Sequence, residues 1–195
     1  KELLDNWGGA IWRCHDYIHA GVPVEEDGSM ADGIFYGFAW KLGWLGYRTG
    51  KLFNSMDYVI PPTPARSLAK QIVNKLGLNG LRVVGDLDTD VERVRIPMHI
   101  MGGPGDTATA NAMDSERIDA LLSMEMIDFT TCQYVRDAAM LGHGKCAIQI
   151  GHFNLEEPGM EYMATWLPKA LKTEEVPATF VPMGDTCLLY TSDAA

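Results

Sequence analysis

No stretch of this 195-residue chain is apolar for long enough to span a bilayer, and the opening Lys-Glu-Leu-Leu-Asp has no secretory-signal character. Cysteine is scarce and scattered. Cys14, Cys132, Cys146 and Cys187 form no C-x-x-C pair, which argues against a thiolate zinc site and for a reducing, cytoplasmic setting. Basic residues are few as well: 16 Lys and Arg against 26 Asp and Glu leave a net charge of −10. That balance argues against general nucleic-acid binding through phosphate contacts, a local basic patch aside. No Ser or Cys sits in a nucleophile elbow. The run Gly102-Gly-Pro-Gly-Asp106 can turn backbone N–H groups towards a phosphate. It lacks the Lys-Ser/Thr of a phosphate loop and the spacing of a dinucleotide fingerprint, however, so a tight turn explains it better, and Asp106 can equally be a helix cap. An initiator Met is missing too, and the chain is expected to be an N-terminally truncated single domain over residues 1–186. Residues 187–195 read as translated adapter sequence, a non-native tail.

What is present is an ordinary apolar share, 47% of residues, arranged in recognisable periods. Residues 10–14 read as a strand that ends in the polar cluster His15-Asp-Tyr-Ile-His19. Residues 21–30 form a loop with an acidic tip. Asp32 then caps a helix whose apolar stripe is Ile34, Phe35, Phe38, Ala39 and Leu42. A strand over 52–60 leads into the stiff connector Pro61-Pro-Thr-Pro64, a possible lobe boundary near 60–64. There Thr63 can cap, and Pro64 open, a helix running to Leu76 and ending near Gly77.

From residue 81 the pattern is regular. Strands are expected over 81–84, 91–101, 118–124 and 146–150, with helices over 107–117 and 130–141, and Glu125 lies just past the third strand. Gly151 stops the last strand. Pro158 suits the first position of a helix with Met160, Met163, Ala164 and Leu167 on one face. Strand, loop and helix repeated in this way predict an α/β fold: a mainly parallel sheet, helices on both faces, and a ligand cleft at the strand carboxyl ends. Right-handed crossovers would line the loops after residues 101, 124 and 150 along one edge, which carries Asp106, Glu125, His152 and Glu156.

Two turns carry most of the chemistry. His152 and Glu156 follow a strand end, as do His15, Asp16 and His19. Brought together, they offer nitrogen and oxygen ligands to one or two divalent ions, and two ions about 3.5–4 Å apart can support hydrolysis. Each turn also has a plainer explanation, the first as a surface His beside a helix-start Glu that favours the dipole and the second as a cap for the next turn. Glu125 is either a proton-transfer group or a solvated loop acid. His99 and His143 have no ligand-like neighbour in the sequence.

These residues resemble the Nif-three-like dinuclear metal centre family, also known as GTP cyclohydrolase I, type 2. Ile11-Trp-Arg-Cys-His-Asp-Tyr-Ile-His19, with Asp32-Gly-Ile34 and Leu42-Gly-Trp44, looks like one branch's strand plus H-D-x-x-H signature. Leu81 to Asp86 is similar to the middle strand. Tyr134-Val-Arg-Asp-Ala138 and Gly151-His152 with Glu156-Glu157 match the last third, and Val181-Pro-Met-Gly-Asp185 the C-terminus. The resemblance spans nearly all of residues 9–186. It implies a metal-lined cleft, a homohexamer, and a metal-dependent hydrolase acting on a small, nucleotide-like molecule; a non-catalytic metal-binding scaffold is the alternative. His152 and Glu156 fall on family ligands. His19 stands where a bridging Asp is usual, so Asp16 would take that role or the site would hold one ion. A family His-His-Pro or His-Glu-Pro motif would precede residue 1. The expected ligand set is therefore His15, Asp16, His19, His152 and Glu156, with Glu125 moving the proton; zinc, manganese and iron all suit it.

Overall fold

A computed structural model describes residues 2–24, 27–97, 99–173 and 175–184 of the protein. Its framework is a six-stranded sheet built from β3 (Arg48–Thr49), β4 (Asp57–Pro64), β5 (Arg82–Gly85), β6 (Asp90–Arg95), β8 (Ala120–Ser123) and β10 (Cys146–Gln149). The spatial order is β3-β4-β6-β8-β10-β5. The neighbours β6, β8 and β10 are parallel, while β4 and β5 run against them. Since β3 is antiparallel to β4, most strands share one direction, and the expected mainly parallel α/β sheet is present.

Alternation along the central strands supplies both faces of the sheet. Leu122, Cys146 and Ile148 turn to one side, where they meet Phe35 and Phe38 of α3 (Gly33–Leu42), Leu68 and Ile72 of α4 (Ala65–Leu76) and Leu155 of α7 (His152–Ala170). Leu121 and Ala147 turn to the other side, against Met113 of α5 (Pro104–Ser115) and Cys132 and Val135 of α6 (Thr131–Met140). Helices therefore cover both faces. A pair of two-residue strands, β7 (His99–Ile100) and β9 (Glu125–Met126), lies apart from the main sheet and pairs in parallel.

Several local expectations need correction. Residues 10–14 form no strand: Ile11 and Trp12 are exposed, and no neighbouring strand supplies ladder bonds there. The chain instead runs from α1 (Glu2–Trp7) to one helical turn, α2 (Asp16–His19). The acidic-tipped loop is flanked by β1 (Val22–Pro23) and β2 (Met30–Ala31), which pair as a small hairpin. Pro61 to Pro64 are no connector but the end of β4, where the register against β6 shifts and tolerates prolines. The single strand expected over 91–101 is split into β6 and β7. Residues 187–195, read as a non-native tail, lie outside the described residues.

The largest correction concerns α7. It begins at His152 rather than at Pro158, because Gly151 at φ 99° bends the chain straight into it and the Leu155 amide bonds to the Gly151 carbonyl. Pro158 thus sits inside the helix and forfeits one backbone bond. The surrounding packing overrides that loss, since Leu155, Pro158 and Gly159 form the buried face and press on α3. Helices α3 and α7 touch backbone to backbone: a Cβ on Gly37 would stand 2.5 Å from the Gly159 Cα, and one on Gly159 2.6 Å from the Ile34 Cα. The stripe Met160, Met163, Ala164 and Leu167 is left only half-buried.

Candidate metal centre

Strands β6, β8 and β10 end at the same edge of the sheet, and each delivers a polar residue shortly afterwards: His99, Glu125 and His152. The β7–β9 register sets His99 opposite Glu125, and neighbouring strands lie about 5 Å apart, close enough for the two side chains to meet. His99 Nδ1 lies 2.6 Å from Glu125 Oε2, and the other oxygen of Glu125 meets His152 Nδ1. The rings of His99 and His152 stand 5.3 Å apart.

One helical turn separates His152 from Glu156, so both project from the same face of α7, with His152 Nε2 3.0 Å from Glu156 Oε1. Two further imidazoles arrive from α2 and the residue before it. His15 Nε2 stands 3.3 Å from Glu156 Oε2, and His19 Nε2 stands 3.6 Å from Glu156 Oε1. Three Nε2 atoms therefore converge on one carboxylate that is largely buried, its side chain 16% exposed. The four-residue spacings in both turns are helical spacings, which is why each pair shares a face.

Two of the converging imidazoles are also held from behind. His19 Nδ1 donates to Asp32 Oδ2 at 2.8 Å, while Asp32 Oδ1 accepts the amides of Ile34 and Phe35 and so caps α3. His15 Nδ1 faces Asp16 at 2.9 Å, whereas His152 Nδ1 faces Glu125, a member of a second ligand group. For His15 and His19 a carboxylate on Nδ1 fixes the tautomer and leaves Nε2 as the electron-pair donor.

The charges reinforce one another. The hydrogen bond to Asp16, helped by the charge on Glu156, raises the His15 pKa above the ordinary 6.5 despite some burial. Burial lowers that of His152, but the hydrogen bond to Glu125 and the charge on Glu156 outweigh it and raise it. Burial pushes the Glu125 carboxyl up, and the two imidazoles more than reverse this, so its pKa lies below 4.5.

Among the described residues, two groups have ligand atoms within 4.8 Å of one another, His15–His19–Glu156 and His99–Glu125–His152. Of the six residues that the sequence singles out, five fall in these groups. Asp16 does not: its side chain is 98% exposed and touches only the far side of His15. Asp106 is buried in the first turn of α5, accepting from the amides of Met101 and Gly102 and from Thr130, and takes no part. His99, without a ligand-like neighbour in the sequence, has two here, because its partner becomes adjacent only through strand register. Asp32 reads in the sequence as a cap alone; nothing in its spacing signals the second oxygen's hold on His19.

The model of the Duf34/NIF3 family (NGG1p interacting factor 3) matches residues 45–186. A structural-genomics protein of unknown function, ybgI, superposes with a TM-score of 0.50 at 20% identity, over 76% of this chain and 55% of its own. A Bacillus cereus protein related to NIF3 gives 0.48 at 20% identity, over 68% and 35%. The protein TTHA1606 from Thermus thermophilus gives 0.48 at 15% identity, over 76% and 53%. The chain spans between 35% and 55% of the length of these structures. No curated protein matches it. Among the described residues, no helix is long and apolar enough to cross a membrane.

Proposed function

The chain belongs to the Duf34/NIF3 family, and from that premise we propose that it binds divalent metal ions and uses them to hydrolyse a small molecule. The observation that carries this reading is the convergence of the His15, His19 and His152 Nε2 atoms on the Glu156 carboxylate. The donor set fits. Imidazole nitrogens mixed with carboxylate oxygens suit zinc, manganese or iron, and three protein ligands leave a coordination position open, as catalytic sites require. Bound there, such ions polarise a substrate oxygen and acidify water near neutral pH.

In this reading His15, His19 and Glu156 hold the first ion, and His99, Glu125 and His152 the second. Glu125, expected as a proton-transfer group, becomes a ligand. Asp16, expected as a ligand, supports His15 from behind. Asp32 and Asp16 keep their imidazoles oriented and withdraw no ligand from the ions. Half-exposure of His15, His99 and His152 leaves substrate a route in.

Metal content of the purified protein and of the His152→Ala, Glu156→Ala double variant tests the ligand assignment. The wild type should retain ions through gel filtration and the variant should not; equal content refutes it. Hydrolysis assays over nucleotides, esters and amides, with and without added metal, test the catalytic half. A metal-binding oligomer without catalysis is the second reading, favoured by the exposed Leu3, Trp7, Ile11 and Trp12 along the N-terminal arm. It predicts no metal-dependent turnover on any substrate and an assembly larger than a monomer.

A further inference from the structure

Beside the His15–Glu156 contact opens a cleft of about 400 Å³, of the size that holds a small molecule. Its floor is the half-buried stripe of α7: Phe153, Met160, Met163, Ala164 and Leu167, with Phe180 facing them. The segment carrying Phe180 is tied down where the Met183 amide donates to Glu157 Oε1 at 2.6 Å. At about 1.5 Å per residue, the floor from Glu156 to Leu167 runs roughly 16 Å along the helix, starting at the candidate ligands. Among the described residues, the lining includes two acids, Glu156 and Glu157, and no Lys or Arg. A polyphosphate laid along this floor would meet carboxylates and thioethers, whereas unbranched methionines adapt to aliphatic and aromatic shapes.

We propose that this cleft binds an uncharged apolar group, aliphatic or aromatic, and presents the polar end of the same molecule to His15 and Glu156. The orientation rests on the metal-site reading; the apolar preference does not. It departs from the nucleotide-like substrate that the family resemblance implies.

The test is a fluorescence titration of the full chain with N-phenyl-1-naphthylamine, a neutral apolar probe, in the wild type and in Ala164→Trp and Leu167→Glu. Both positions are partly buried, and they lie about two and three helical turns beyond Glu156 on α7. The wild type should bind saturably. Each variant should weaken binding at least roughly tenfold, the loss of about 1.4 kcal/mol of contact, with metal content unchanged. Excess GTP should fail to displace the probe. Equal affinity in wild type and both variants overturns the proposal, as does displacement by GTP. The metal reading fails on metal content and the cleft on probe affinity, so the two failures are read separately.

Discussion

Replacing Gly37 by alanine should damage both the fold and the candidate centre, and the sizes follow from one contact. The new Cβ would stand 2.5 Å from the Gly159 Cα, against 3.4–4 Å for ordinary contact. The obstacle is helix backbone, which cannot rotate away, so α3 and α7 must separate by nearly an ångström. Overpacking of this kind costs about 1–3 kcal/mol. Alanine returns about 0.5–1 kcal/mol of helix propensity, leaving a net loss on the order of 1–2 kcal/mol. For a chain of this length that lowers the thermal midpoint by roughly 2–8 °C. Asp32 caps α3 and holds His19, whereas Glu156 rides on α7, so the same displacement pulls the carboxylate from the imidazoles and weakens metal binding. Gly105→Ala is the control. It lies in α5 with open space around its Cβ, and should be neutral or slightly stabilising. Differential scanning fluorimetry with chelator, then chelator competition for bound metal, reads both effects. If Gly37→Ala melts with the wild type, the close helix contact is not what sets the spacing.

Asp32→Asn keeps a good helix cap but loses the charged acceptor for His19 Nδ1, so metal affinity should fall about 10–100-fold with little change in melting temperature. Competition against a calibrated chelator measures it, and an unchanged affinity would show that His19 needs no support. His99→Ala should lower the metal stoichiometry from two ions to one and spare the His15–His19–Glu156 position; two ions retained would remove His99 from the ligand set. The pH dependence has a definite sign. His15 and His152 have folded pKa values above 6.5, so their stabilisation of the metal-free protein is full below that pH and is lost as pH rises through the raised values. The lowered Glu125 contributes above pH 4.5 and is lost as pH falls through its folded value. Metal binding needs neutral imidazoles. Melting temperatures from pH 5.5 to 8 should therefore fall with chelator and rise with zinc; parallel slopes in the two series would contradict the assignment.

The sheet was readable because its strands end in strong local signals. Asp32 ahead of an apolar stripe and Gly77 after one bound their helices as expected. The buried run ending at Gly151 marks β10 and the turn beyond it. Local rules failed where tertiary contacts overrode them. Ile11 and Trp12 have strand composition but no partner strand, and Pro158 reads as a helix start but is held inside α7 by its contact with α3. For the site, polar residues four apart, read as turns after apolar runs, exposed both His15–His19 and His152–Glu156 in the sequence. The His99–Glu125 pair was hidden, because a two-residue parallel ladder leaves no periodicity to detect.

The long separation along the chain between His15 and Glu156, 141 positions, bears on how the centre matures. During synthesis at about 5–20 residues per second, the early histidines wait on the order of 10 s before their carboxylate is made. Under the proposed metal reading, ion capture at this position is thus a late event, following ribosomal release of α7. A chain that stalls before α7 emerges carries His15 and His19 without the carboxylate on which they converge.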